Sequence, residues 1–281
     1  MLYGLGAAIA ARAGAAIDGH RYLWGQIAIT ATQLMTHYCN DYFDYAADRA
    51  NLTPTRWSGG SRVLSAGELS RAVALIAALA LAAIAVAATV CLVARAGAAP
   101  GVAALLAAAI VLAWEYSAPP LRLHSTGLGE LDTALVVALL TPLVGFHAQA
   151  GRLDARPALA LLPLCCLQFA MLLAIEFPDA AGDAATGKRT LVVRLGADAA
   201  ARLYQIALVI AYGSLPLLAI AGVVPAAAAV LALLPAPIAA WQWARVQRGA
   251  YREAGKWESL AFFSVALLIA TSAAELVGFV L

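Results

Sequence analysis

The chain has 281 residues, 63% of them hydrophobic and 12% charged, with a formal net charge of +2. A soluble domain averages about 45–50% apolar and about 25% charged residues, so this composition excludes an ordinary soluble fold and points to an integral membrane protein; the mean hydropathy is +0.84. So small a net charge gives no electrostatic footprint for nucleic acid.

A helix that crosses a bilayer needs about 20 apolar residues. Runs of that order lie at 2–17, 22–43, 70–94, 99–117, 127–149, 157–177, 200–221, 225–245 and 257–280. They predict an all-α polytopic bundle of about nine transmembrane helices over a single domain, 1–281, around a central cavity that faces the cytoplasm. Alanine dominates many runs, which lets helices pack closely in lipid. The first run is short and lacks a basic flank, consistent with a start upstream of Met1. It does not read as a signal peptide, because no basic segment precedes it and the next run follows at once. Cys39, Cys91, Cys165 and Cys166 all fall in apolar runs without metal-ligand spacing and read as small buried hydrophobes.

The basic residues predict the orientation. One set of loops holds Arg49, Arg56, Arg62, Arg71, Arg122, Lys188, Arg189, Arg194, Arg202, Arg245, Arg248, Arg252 and Lys256. The other holds only Arg21, Arg95, Arg152 and Arg156, while Arg12 sits in the first run. The positive-inside rule puts the first set in the cytoplasm, in a cell or inner membrane.

The second run ends in NDYFDYAAD, Asn40 to Asp48. Projected at about 100° per residue, Gln33, His37, Asn40, Asp41, Asp44 and Asp48 fall within roughly 100° of arc. Lipid cannot solvate such a stripe, so it should face the bundle interior. The arrangement recurs in IEFPDAAGD, Ile175 to Asp183, where Glu176, Asp179 and Asp183 repeat the spacing of Asp41, Asp44 and Asp48. Gln168 stands before Asp179 as Gln33 stands before Asp44. Pro178 removes a helix hydrogen bond and predicts a kink.

Like charges about 6 Å apart repel by about 3 kcal/mol at an effective dielectric of 20, so two facing acid clusters call for a neutralising cation. Mg2+ takes one or two carboxylates and fills its other positions with water and substrate phosphates, which points to a diphosphate held through Mg2+. Basic loops adjoin the acids. WSGGSRVL, Trp57 to Leu64, offers glycines for close approach to an anion, with Ser61 and Arg62 as donors. TGKRTLVVRLG, Thr186 to Gly196, offers Lys188 and Arg189. YSAPPLRL, Tyr116 to Leu123, offers Tyr116, Ser117 and Arg122.

NDYFDYAAD resembles the first aspartate-rich motif of the UbiA superfamily of intramembrane prenyltransferases. PDAAGDAATGKRTLVVRLG resembles the second, and YSAPPLRL the loop between the fourth and fifth helices. The resemblance covers nearly the whole chain. It implies Mg2+-assisted ionisation of a prenyl diphosphate and transfer of the isoprenyl group to an aromatic acceptor. It also implies Asp41, Asp44, Asp48, Asp179 and Asp183 as metal ligands, with Asn40, Ser61, Arg62, Tyr116, Arg122, Lys188 and Arg189 on the substrates. The motifs look most like the 1,4-dihydroxy-2-naphthoate branch of menaquinone synthesis. Ile175, Glu176 and Phe177 depart from that branch, so another quinone precursor, an aromatic natural product or a chlorin stays open as acceptor.

Plainer readings apply elsewhere. His37 reads as a packed helix residue, Gln33 and Gln168 as helix cross-links or substrate contacts, and Glu130 and Asp132 as cap-region charges, with a substrate role the lesser alternative. Glu275, late in the last run, reads as a packing residue. A secondary transporter with an acidic relay is the rival class, but its acids belong at the midplane, not at one rim. Nothing in the sequence calls for an obligate protein partner.

Overall fold

The apolar runs form helices whose ends are set by the polar and proline residues between them. The computed structural model describes residues 1–51, 54–58 and 60–281, and all regular structure among them is helical. In chain order the helices are α1 (Leu2–Arg12), α2 (Gly19–Phe43), α3 (Tyr45–Ala50), α4 (Arg71–Ala94) and α5 (Gly101–Glu115). Then α6 (Gly129–Thr133) runs through a π-helical segment, Ala134–Leu140, into α7 (Thr141–Ala150). There follow α8 (Ala155–Ala160), α9 (Leu162–Glu176), α10 (Ala180–Ala185), α11 (Leu191–Leu195), α12 (Ala197–Ile220), α13 (Ala226–Ala232), α14 (Ala236–Gln247) and α15 (Ala254–Val280).

The protein is an all-α polytopic membrane protein. Ile76, Val90, Val111, Val209 and Leu217 are exposed, as a lipid-facing surface requires. The expected count of about nine spans needs correction. Among the described residues, four helical stretches are long and apolar enough to cross a bilayer: Arg71–Ala94, Gly129–Ala150, Ala197–Ile220 and Ala254–Val280. The pair α13 and α14, bent by 43°, makes a fifth if taken as one span. The shortfall has local causes. The run at 157–177 breaks at Leu161, leaving α9 only 15 residues, about 22 Å long. α5 also has 15 residues and α1 has 11. α2 has length enough at 25 residues but carries Gln26, Gln33, His37, Asn40 and Asp41.

Packing uses small residues and buried hydroxyls. A Cβ on Gly6 of α1 would stand 1.7 Å from the Pro142 carbonyl oxygen, and one on Gly145 of α7 would stand 2.1 Å from the Tyr3 carbonyl oxygen. The two helices therefore touch backbone to backbone. Gly145→Leu is expected to destabilise the fold by about 1–3 kcal/mol or more, because rigid main chain must move aside; an unchanged thermal midpoint in detergent would refute that contact. In the second half, Tyr204 bonds Ser264 and Tyr212 bonds Thr271, each at 2.9 Å, tying α12 to α15.

The loops sort into two ends. At one end the Arg21 guanidinium donates to the carbonyls of Ala96 (3.1 Å) and Gly97 (2.9 Å), and the Asp18 N–H donates to Gln149 Oε1 (2.8 Å). At the other, Arg56 approaches Glu258 (3.9 Å) and Arg252 pairs with Asp198 (2.6 Å). The acid motifs lie at this second end.

Candidate active site

Two six-residue helices build the site, and each begins directly after an aspartate: Asp44 before α3 and Asp179 before α10. The continuous stripe expected from Gln33 to Asp48 is thus interrupted. Asp44 leaves helical geometry (φ −87°, ψ 2°), so α2 stops and α3 restarts. Pro178 has no N–H to continue α9, and the Asp179 N–H bonds the Glu176 carbonyl at 3.1 Å. The short helices meet where a Cβ on Gly182 would lie 3.2 Å from Asn51 Cα. There the Asn51 side-chain amide, at the end of α3, donates to Asp179 Oδ1 at 2.7 Å. The fold thereby brings the two acid clusters together.

Asp44 is the hub. It is 4% exposed, and its Oδ2 accepts from Lys188 Nζ and from Asn40 Nδ2, both at 2.9 Å. Its Oδ1 accepts from His124 Nε2. Asn40 Nδ2 also donates to Ser117 Oγ at 3.0 Å, tying α2 to the loop after α5. Lys188 Nζ lies 3.7 Å from Asp183 Oδ1, so one ammonium bridges the first motif and the second.

Charge at the hub follows from these contacts. Burial opposes ionisation of Asp44, but the Lys188 ammonium and the His124 bond outweigh it and hold the carboxyl well below the usual range. Burial likewise opposes charging Lys188, but Asp44 and Asp183 raise its pKa further above the ordinary value. Burial pushes Asp48 up to about 7, with Asp44 as the next contributor. Burial pushes Asp183 up to about 6, with Lys188 opposing and Asp179 and Asp44 adding to it.

These groups face a cavity of ≈ 870 Å³. Seven carboxyls line it: Asp41, Asp44, Asp48, Asp132, Glu176, Asp179 and Asp183. Among the described residues only two strongly basic side chains do, Arg56 and Lys188. Asn40, Ser61 and Tyr116 line it as well, and so do Gln33, His37 and Gln168. Beyond the acids the walls turn apolar, with Ile29, Val136, Val137, Met171, Leu172 and Leu268.

Some expected contacts are not made. Arg62 does not line the cavity; it is exposed, and its Nη1 donates to the Asp48 carbonyl at 2.8 Å. Arg122 lies outside as well, exposed on the left-handed turn (φ 47°) that opens Leu123–Ser125. Arg189 is also exposed; its backbone N–H bonds the Ser125 carbonyl at 3.2 Å. The glycine reading changes too. Gly60 (φ +69°) approaches the protein's own Asp48, whose Oδ2 would stand 2.1 Å from an added Cβ, and Gly59 lies outside the described residues. Ser61 contributes its backbone N–H, donating to Asp41 Oδ1 at 3.3 Å. Sequence reasoning missed His124, Asn51 and Arg56. Asn51 follows Asp44 by seven residues and extends the helical spacing of the acids, a signal that was present. His124 had none, because its partner lies 80 positions away.

Among the described residues, no three His, Cys, Asp or Glu side chains stand as a ready-made metal cage. The reason is visible in the geometry: Lys188 already sits between Asp44 and Asp183. The donor set nevertheless suits a hard cation, being all oxygen, with Asp183 Oδ2 and Glu176 Oε2 buried and lacking hydrogen-bond partners among the described residues.

The family model described as the UbiA prenyltransferase family matches residues 1–268. The chain belongs to the UbiA prenyltransferase family. Solved structures share the family's fold at low identity. A UbiA homolog from Aeropyrum pernix K1 aligns with a TM-score of 0.76 at 17% identity, covering 98% of this chain and 96% of that one. A UbiA homolog from Archaeoglobus fulgidus, bound to DMAPP and Mg2+, aligns with a TM-score of 0.65 at 14% identity, covering 97% and 94%. A digeranylgeranylglyceryl phosphate synthase aligns with a TM-score of 0.68 at 16% identity, covering 99% and 92%. No curated protein matches the chain. Within the UbiA family this chain is thus placed by its family model, and by its fold beside the archaeal homologs.

Proposed function

We propose that this UbiA-family protein transfers an isoprenyl group from a prenyl diphosphate to an aromatic acceptor with the help of Mg2+. The observation that carries the reading is the charge imbalance of the cavity: seven carboxyls against Arg56 and Lys188. A bare diphosphate would be repelled there. Divalent cations arriving with the diphosphate would offset that repulsion, since carboxylates are suitable ligands for them. The Archaeoglobus homolog bound to DMAPP and Mg2+ supports the same pairing here. Asp41, Asp44 and Asp48 would hold one ion, and Asp179 and Asp183 the other. Bound Mg2+ supplies Lewis-acid stabilisation of the leaving diphosphate.

The protein's own groups do the rest. Lys188, held charged between Asp44 and Asp183, donates to the departing phosphate oxygens. Asn40 and Ser61 orient the first cluster, and His124 locks Asp44. Tyr116 stands beside the acids, where its ring face shields an allylic cation. Arg62, Arg122 and Arg189 are exposed, and their long side chains would turn to the diphosphate once it is bound. The apolar far wall takes the prenyl tail. We assign the whole chain to one domain and place the acid end in the cytoplasm by the positive-inside rule.

The acceptor assigned on motif resemblance is 1,4-dihydroxy-2-naphthoate, in menaquinone synthesis. The test uses protein in nanodiscs with radiolabelled geranylgeranyl diphosphate and that acceptor, in Mg2+ or in EDTA. Mg2+-dependent prenylated naphthoate supports the full reading. Diphosphate release without that product retains the chemistry and rejects the acceptor. Neither product, across several donor lengths, rejects prenyl transfer.

Proton linkage gives a further expected result. Mg2+ binding requires carboxylates, yet Asp48 and Asp183 are pushed up to about 7 and about 6. Their folded-state pKa values lie above those of the unfolded chain. They therefore stabilise the metal-free fold at low pH, and this contribution is lost as pH rises through 6 to 7. Mg2+ should restore it, so the thermal shift on adding Mg2+ is larger at pH 8 than at pH 5. Below pH 6 the Mg2+ affinity should fall about tenfold per pH unit for each proton displaced. A shift independent of pH would show that neither group meets the metal.

A further inference from the structure

Asp132 is the one carboxyl lining the cavity that belongs to neither acid motif. It does not cap its helix: α6 has no side-chain cap bond. The neighbouring Glu130 does not line the cavity: its Oε1 accepts from the Leu191 N–H at 2.6 Å, and its Oε2 is buried without a partner among the described residues. Asp132 is 6% exposed, and its Oδ1 has no hydrogen-bond partner among the described residues. Nor does it form an ion pair there. A buried carboxyl with an unmet acceptor is costly, and it is offset when a ligand donates to it.

The backbone makes room for such a ligand. Directly after α6 the chain is π-helical over Ala134–Leu140, a rare geometry concentrated at functional sites. The wide turn places Asp132, Val136, Val137 and Thr141 along one cavity wall, four to five residues apart. The Thr141 N–H and its Oγ1 both donate to the Val136 carbonyl, the hydroxyl at 2.9 Å, so this side chain is turned back onto its own helix. This wall is apolar except for the aspartate and its flanking threonines. With the cavity already rich in carboxyls, the group that meets Asp132 must be a hydrogen-bond donor without negative charge.

We infer that Asp132 positions the acceptor, accepting a hydrogen bond from one of its ring hydroxyls and so docking it on the wall formed by α6 and the π-helical segment. The inference rests on the prenyl-transfer reading and adds the residue that positions the acceptor. A ligand carboxylate is disfavoured at this position, so an acceptor that carries one turns it elsewhere.

The test compares 1,4-dihydroxynaphthalene with 1,4-dimethoxynaphthalene, which has the same ring but no donor. Binding is measured by isothermal titration against protein in nanodiscs, with empty nanodiscs as blank. It is measured with and without Mg2+ and geranylgeranyl thiodiphosphate, a slowly ionising donor analogue. The wild type should bind the diol at least about tenfold more tightly than the diether, the effect of one hydrogen bond to a buried charged group. Asp132→Leu should bind both alike, and Asp132→Asn should fall between. All three proteins should bind the thiodiphosphate equally. A wild type without preference for the diol, or an Asp132→Leu protein that keeps the preference, overturns the inference. So does loss of thiodiphosphate and diol binding together, which would mark Asp132 as structural. A wild type that binds no thiodiphosphate sinks the prenyl-transfer reading, while the titrations without it still decide the role of Asp132.

Discussion

Asp44→Asn and Asp179→Asn should each lower prenyl transfer by at least about a hundredfold, the scale seen when one preorganised electrostatic contact to a developing charge is removed. The two aspartates occupy equivalent places, each at the break before a six-residue helix, and the helices they start pack on each other. Asp44 is the more deeply engaged, receiving Lys188, His124 and Asn40 together. Asparagine keeps its shape and one acceptor oxygen, so the local fold survives while the negative charge is lost. Alanine is the poorer test at this position. Both changes remove the counter-charge of Lys188, but alanine also removes every acceptor that Lys188, His124 and Asn40 share, adding to a cost of about 3–5 kcal/mol for a broken buried pair. At Asp179 the Asn51 amide donates to Oδ1, and asparagine keeps an acceptor oxygen for it. Turnover of labelled geranylgeranyl diphosphate is read beside monodispersity and thermal midpoint. Near-normal turnover by a well-folded variant of either residue would sink the reading in which both clusters serve the diphosphate.

The acid motifs were legible because lipid leaves few options for charge. Six carboxylates ending two apolar runs at matched spacing must turn inward and toward one another, and the structure brings them into one cavity. The breaks within the motifs were half legible. Pro178 signals its kink chemically, but nothing in NDYFDYAAD marks Asp44 as the residue where α2 stops. The span count was read too generously, because an apolar run does not reveal that Leu161 divides it or that α5 ends after 15 residues. The arginines were legible only as neighbours of the site. Arg122 and Arg189 lie next to the right residues in sequence, yet side-chain placement depends on turns such as the left-handed one at Arg122. His124 and the open carboxyl of Asp132 are tertiary facts. Each takes its meaning from what lies, or does not lie, across the cavity.

Lys188→Met should have an effect of similar size but with a distinct signature. With methionine the cavity keeps seven carboxyls and loses one of its two strongly basic side chains. Two consequences follow from that single charge. The first concerns the step itself: no ammonium remains to donate to the departing diphosphate, so kcat should fall about 10²–10³-fold, and excess Mg2+ should not restore it. The second concerns the resting protein. Lys188 opposes the upward shift of both Asp48 and Asp183, which stand at about 7 and about 6 with it present. Without it both carboxyls hold their protons to higher pH, and Asp44 loses the cation that keeps it ionised. The acid limb of the residual pH–rate profile should therefore move to higher pH, and Mg2+ should bind more weakly at pH 7 than at pH 9. A lysine that merely stabilised the fold would lower the thermal midpoint and leave the shape of the profile alone. A lysine that touches the diphosphate changes kcat, the position of the acid limb and the pH dependence of Mg2+ binding in one protein, and full-rate turnover by a folded Lys188→Met variant would remove it from the site.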